Sequence, residues 1–179
     1  MIDVETPMEL TETDTRHSRI TRFAAVVTLG MAATVGAALC FEHIGGYIPC
    51  HLCLLERDPY YYGIPVGVIA IATSLFRMPA WIPRALLVVI GVMMLVGAGM
   101  GIYHAGVEWG FWAGPSSCTS TPGAATTSAG DLLSSLNTVH GPQCDQAALR
   151  ILGLSLAGWN AVASLILAAV AFVGAKKAA

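Results

Sequence analysis

Charged residues are scarce in this chain: 9 lysine and arginine residues and 11 aspartate and glutamate residues occur among 179, whereas 55% of the residues are hydrophobic. This composition excludes an ordinary water-soluble domain and indicates a membrane protein. The net charge is −2 and no basic cluster alternates with aromatic residues, so nucleic-acid binding is not expected. The chain also lacks a glycine-rich dinucleotide fingerprint and a C-x-x-C-H haem motif, which argues against nicotinamide, FAD or c-type haem.

Four stretches without charge are long enough to cross a bilayer, because about 20 helical residues span ~30 Å of hydrocarbon. They cover about residues 23–41, 59–76, 85–107 and 151–175. The polar and apolar residues do not alternate as they do in barrel strands, so helices are expected. The sequence therefore predicts an all-α membrane protein with a four-helix transmembrane bundle. A signal peptide is the alternative for the first stretch, although the stretch is long for one.

Lysine and arginine are distributed unevenly between the two sides of this predicted bundle. Seven lie in the N-terminal arm, the second connection and the C-terminus, whereas the other side has only Arg57 and Arg150. The positive-inside rule places both termini in the cytoplasm and the loops at residues 42–58 and 108–150 on the outer side. Residues 1–18 are expected to form a cytoplasmic tail, followed by a membrane domain over residues 19–179.

Four of the five cysteines lie in the two outer loops, Cys50 and Cys53 in the first and Cys118 and Cys144 in the second. Paired cysteines in an oxidising compartment indicate disulfide chemistry. Cys40 lies inside the first predicted span, where a small buried apolar residue is expected.

The segment between the two cysteines of the second loop begins with small residues and proline only. Residues 119–130 are all Thr, Ser, Gly, Ala or Pro, which is typical of a mobile tether, and residues 131–136 are expected to form a short amphipathic turn. Cys118 and Cys144 could therefore form a structural disulfide or a reactive pair. The mobile tether modestly favours a reactive pair.

Cys50 and Cys53 have the C-x-x-C spacing of dithiol redox centres. If the motif begins a helical turn, the two Cα atoms lie within disulfide range and unpaired backbone N–H groups favour a thiolate. Zinc sites share this spacing, but Cys118 and Cys144 are far apart in sequence with only His140 as a nearby extra ligand, so no metal is expected. A purely structural disulfide is the other alternative.

Arg57 and His104 are predicted at the outer ends of the second and third spans, where ionisable groups are costly and often functional. Arg57 follows Cys53 by four residues, so on a helix its charge could lower a thiol pKa. Together with the dithiol, Arg57 and His104 indicate a polar pocket for a lipophilic electron acceptor. A membrane quinone, which arrives by lateral diffusion, is such an acceptor. The alternatives are headgroup anchoring for Arg57 and interfacial hydrogen bonding for His104.

Two segments carry a resemblance to a known family: IPCHLCLLERDPYY at residues 48–61 and YHAGVEWGFWAGPSSC at residues 103–118. With the four spans and the later Cys144, they resemble the DsbB family of disulfide bond formation proteins over about residues 20–175. The resemblance implies a quinone-dependent thiol oxidoreductase of the bacterial inner membrane, with both termini in the cytoplasm and both cysteine loops in the periplasm.

The resemblance also implies a relay. The Cys118–Cys144 disulfide would meet a reduced, periplasmic DsbA-like oxidase with a thioredoxin fold, and Cys118 would be attacked to form a mixed disulfide. Cys144 would then exchange with Cys50 of the Cys50–Cys53 pair, and Cys53, released as a thiolate, would lie against the quinone and pass the electrons to ubiquinone or menaquinone.

By the same resemblance, Arg57 matches the arginine that assists quinone binding and His104 matches the third-helix histidine. Cys40 and His51 depart from the family pattern, and we hypothesise that a cationic His51 stabilises a neighbouring thiolate. Two other functions are alternatives. A vitamin K epoxide reductase-like enzyme has its C-x-x-C late in the bundle, unlike this chain, and a four-span scaffold would hold only structural disulfides.

Overall fold

The structure is a computed structural model that describes residues 7–115 and 144–177. The chain is mostly helical, as expected of an all-α membrane protein. Its elements are α1 (Pro7–His43), α2 (His51–Leu55), α3 (Asp58–Leu75), α4 (Trp81–Glu108), β1 (Arg150–Ile151), β2 (Leu154–Ser155) and α5 (Leu156–Lys177). Cys118, the expected tether at residues 119–130 and the expected turn at residues 131–136 lie outside the described residues.

Three helices in the described part of the chain are long and apolar enough to cross a membrane, over Glu12–His43, Trp81–Glu108 and Leu156–Lys177. The predicted second span corresponds to α3, which is shorter at 18 residues and begins with Asp58, Pro59 and three tyrosines. Val68 and Ile69 of α3 are half exposed, which suits contact with lipid. A membrane crossing by α3, and with it the four-span topology, therefore stays a prediction.

The first residues of α1 and of α5 differ most from the predicted span boundaries. α1 begins at Pro7, so the helix runs through most of the expected tail. Proline is favourable in the first turn, and no glycine or proline follows it before the apolar span. α5 begins at Leu156 instead of residue 151, because Leu152 and Gly153 take positive φ values of 54° and 84° and connect β1 to β2 by a two-residue turn.

Small residues allow α4 and α5 to pack closely. A Cβ atom at Gly101 would lie 2.9 Å from the backbone nitrogen of Ala161 and 3.0 Å from the carbonyl oxygen of Ala157, so only glycine fits this crossing. α1 packs against α3 and α5, and α3 packs against α4. The short helix α2 begins within the C-x-x-C motif, and its Leu52 packs with Cys50, with Val107 of α4 and with Cys144.

Candidate redox site

Cys50 and Cys53 lie at the start of α2, which confirms that the C-x-x-C motif begins a helical turn. Cys50 is the N-cap residue, and its Sγ accepts a hydrogen bond from the backbone N–H of Cys53 at 3.3 Å. Both cysteines are free thiols, and their Sγ atoms are 3.1 Å apart. This arrangement brings the two sulfur atoms close enough to interconvert between dithiol and disulfide.

A cysteine of the second loop lies against this pair. Cys144 is fully buried and disulfide-bonded. Its Sγ, the Sγ of Cys50 and a ring nitrogen of His104 all lie within 4.8 Å of one another. Three such donors could hold a metal ion, but a disulfide sulfur is a poor ligand, since metals prefer the thiolate. The geometry instead juxtaposes a thiol with a disulfide, which is the arrangement that exchange requires.

His104 connects Cys50 to a buried polar network. Its Nε2 lies 3.6 Å from the Sγ of Cys50, and its Nδ1 lies 2.7 Å from Oε1 of Glu56. Asn160 Nδ2 donates to Oε2 of Glu56 at 3.0 Å, and the hydroxyl of Tyr60 donates to Asn160 Oδ1 at 2.6 Å. Glu56 is only 6% exposed, so both of its carboxyl oxygens depend on these partners.

The two thiols ionise at very different pH. The Cys53 thiol donates to the Cys50 sulfur and, together with His104 and the Cys53 backbone N–H, it lowers the pKa of Cys50 to about 4 against the opposing effect of burial. The same hydrogen bond and burial raise the pKa of Cys53 above its ordinary value. At neutral pH the reduced pair therefore holds a thiolate at Cys50 and a thiol at Cys53.

A cavity of about 600 Å³ opens beside the pair, between α1, α3 and α5. Cys53, Glu56 and Arg57 contribute its polar lining, and apolar and aromatic side chains such as Phe41 and Trp159 form most of the rest. Arg57 Nη1 donates to Glu42 Oε2 at 2.6 Å, and both side chains are partly buried. A largely apolar chamber with a few convergent polar groups is typical of a small-molecule site.

The predicted site residues take different positions around this cavity. Arg57 lines it, whereas His104 lies beside Cys50 and is not among its lining residues. The side chain of His51 is exposed. The histidine that lies beside the Cys50 sulfur is His104. The expectation that Cys40 is buried is wrong: its side chain is exposed on α1, where an apolar thiol suits contact with lipid.

Three functional candidates were not singled out from the sequence: Glu56, Asn160 and Glu108. Glu56 belongs to the C-x-x-C-x-x-E-R pattern formed by Cys50, Cys53, Glu56 and Arg57. Asn160 is a polar residue inside an apolar helix, and such a residue in a membrane-spanning segment indicates a functional role. Glu108 Oε1 lies 3.9 Å from His104 Nε2, and its Oε2 is buried without a hydrogen-bond partner in the described part of the chain.

The family model of disulfide bond formation protein DsbB matches residues 20–174, nearly the whole chain. Neither the comparison with curated proteins nor the comparison with solved structures gave a match. The family match agrees with the apolar helices and with the juxtaposed thiols and disulfide. The chain therefore belongs to the DsbB family and is a membrane oxidoreductase that forms disulfide bonds.

Proposed function

We propose that this protein reoxidises a periplasmic DsbA-like dithiol oxidase and passes the electrons to a membrane quinone. The observation that carries this proposal is the approach of the Cys50 thiol to disulfide-bonded Cys144, whose sulfur atom lies within 4.8 Å of the Cys50 sulfur. A pKa of about 4 keeps Cys50 as a thiolate, the nucleophilic form, at neutral pH. In the relay, the thiolate of Cys144 in the reduced second loop attacks Cys50 of the oxidised first loop. Attack by the Cys50 thiolate on Cys144 is the reverse of this step and uses the same contact between the two sulfur atoms.

In the proposed relay, the partner's thiolate attacks Cys118 of a Cys118–Cys144 disulfide and the partner leaves with a new disulfide. The two electrons that it gives up stay with the loop cysteines as a pair of thiols. Exchange between Cys144 and Cys50 moves this reduced state to Cys50 and Cys53. Oxidation of Cys50 and Cys53 to a disulfide then releases two electrons and two protons.

The cavity fits a quinone as the acceptor. Its volume of about 600 Å³ and its apolar lining suit a ring that arrives from the bilayer with an isoprenoid tail. Cys53 and Arg57 lie in its wall, so a thiol and a cationic hydrogen-bond donor face the same space. A bound quinone would supply two-electron redox chemistry. Arg57 would bind a carbonyl oxygen while Glu42 holds the guanidinium in position.

The position of the protein in the envelope follows from the same relay. We place it in the bacterial inner membrane with both termini in the cytoplasm, α3 as the second of four spans, and both cysteine loops in the periplasm. Exposed apolar side chains on all four long helices, including Leu29, Val68, Val96 and Ile166, support contact with lipid along each of them.

Anaerobic reduction of a quinone by the purified protein, supplied with a reduced DsbA-like oxidase, tests this function. We expect a rate that depends on both substrates and that is abolished in Cys53→Ser. A Cys40→Ser protein is the matched control, because Cys40 lies outside the relay and its loss leaves the rate unchanged. Failure of the wild-type protein to reduce quinone, or full activity without Cys53, would refute the proposal.

A further inference from the structure

The two cysteines of the redox motif differ in their access to the cavity. Cys53 and Glu56 line the cavity, whereas Cys50 and His104 are not among its lining residues. Reduction of a quinone to a hydroquinone takes two protons. The Cys53 thiol lines the cavity and supplies one of them, whereas Cys50 is a thiolate that has already given its proton to its surroundings. The proton that belongs to Cys50 therefore needs a carrier.

The buried network supplies a connected path for that proton. From the Cys50 sulfur it leads across 3.6 Å to Nε2 of His104, and from Nδ1 of the same ring across 2.7 Å to Oε1 of Glu56. An imidazole can accept a proton at one nitrogen while it releases one at the other. The carboxyl group of Glu56 then reaches the cavity that it lines.

We propose that Glu56 is the proton carrier between the Cys50–His104 pair and the electron acceptor in the cavity. This inference rests on the proposed quinone reduction and adds the route of one proton. While Cys50 is a thiolate, its proton is held by His104 and Glu56. When the Cys50–Cys53 disulfide forms, two electrons leave the sulfur atoms, one proton leaves Cys53, and the stored proton leaves Glu56, so a quinone becomes a hydroquinone.

The surroundings of Glu56 suit this task. Burial raises the pKa of its carboxyl group, His104 opposes that rise, and the Cys50 thiolate adds to it. Asn160 Nδ2 donates to the second carboxyl oxygen and fixes the orientation of the group. The neighbouring cation, Arg57, is paired with Glu42.

A Glu56→Gln protein tests the proposal, because glutamine keeps a hydrogen-bond acceptor for His104 but cannot carry a proton. Asp58→Asn is the matched control, since Asp58 is an exposed carboxylate two residues away. The first readout uses full-length protein without quinone. Infrared difference spectra between the dithiol and disulfide states should show a protonated carboxyl band in wild type and Asp58→Asn that is lost in Glu56→Gln.

The second readout is a single turnover of prereduced protein with excess ubiquinone. Glu56→Gln should slow this step by at least tenfold, given that a positioned acid or base contributes ~10²–10⁴-fold, while exchange with the DsbA-like partner keeps its rate. An unchanged carboxyl band, or a wild-type turnover rate in Glu56→Gln, would overturn the carrier role. If wild type itself fails to reduce ubiquinone, the proposed function fails, and the infrared band still tests whether Glu56 takes the proton.

Discussion

The ionisation of Cys50 should depend most strongly on the side chain of Cys53. The Cys50 sulfur lies 3.1 Å from the Cys53 sulfur and 3.6 Å from His104 Nε2. Cys53→Ala removes the first contact and keeps the second. A hydrogen bond to a charged group contributes about 1.5–3 kcal/mol, which corresponds to a change of about 1–2 in pKa. We therefore expect the pKa of Cys50 to rise by that amount from its value of about 4.

Cys53→Ser is the matched variant, because a hydroxyl group also donates a hydrogen bond. The rate of iodoacetamide alkylation of Cys50 is measured against pH, with the modified peptide quantified by mass spectrometry. The midpoint of the curve gives the pKa, and it is preferred to the absolute rate because a thiolate of low pKa is intrinsically less nucleophilic. The midpoint should lie higher in Cys53→Ala than in Cys53→Ser. Equal midpoints would refute the claim that a donor at Cys53 stabilises the thiolate.

Three further predictions concern packing, the cavity and the second loop. Gly101→Ala should destabilise the fold by about 1–3 kcal/mol, measured by thermal unfolding. Gly99→Ala should not, because a Cβ atom at Gly99 meets nothing within 4 Å. Equal stabilities of the two variants would contradict the packing account. Arg57→Ala should raise the KM for quinone about tenfold by removing a charged hydrogen-bond donor, whereas Glu42→Gln leaves that donor in place; an unchanged KM in Arg57→Ala would exclude a binding role. Cys144→Ser, mixed with oxidised DsbA-like partner, should accumulate a mixed disulfide on a non-reducing gel, because the thiolate of Cys118 attacks the partner's disulfide and no Cys144 thiol is present to resolve the product. Absence of this species would show that Cys118 does not react with the partner.

The sequence predicted the features that depend on local composition and spacing. Charge-free runs located the long helices, because a membrane-spanning helix excludes charge over most of its length. The spacing of Cys50 and Cys53 predicted their helical turn, because residues three apart lie on one side of a helix. The depth of His104 near the end of a span marked it as a functional candidate, and the structure places it 3.6 Å from the Cys50 sulfur.

Features that depend on tertiary contacts could not be obtained in this way. The turn at Leu152 and Gly153 needs a positive φ at leucine, which residue preference argues against. The environment of Glu56 cannot be read from the sequence, because its partners His104 and Asn160 come from two other helices. The division between residues that line the cavity and residues behind it depends on how four helices pack.

Identification of the disulfides in a Cys53→Ala, Cys40→Ser protein tests the central claim most directly. This protein keeps Cys50 and the Cys118–Cys144 pair, and it is purified with that pair oxidised, incubated without partner or added thiol, quenched with acid and analysed by peptide mass spectrometry. Attack of the Cys50 thiolate on Cys144 predicts a Cys50–Cys144 disulfide that accumulates, because no Cys53 thiol remains to resolve it. Recovery of Cys50 only as a free thiol would contradict a relay between the two loops.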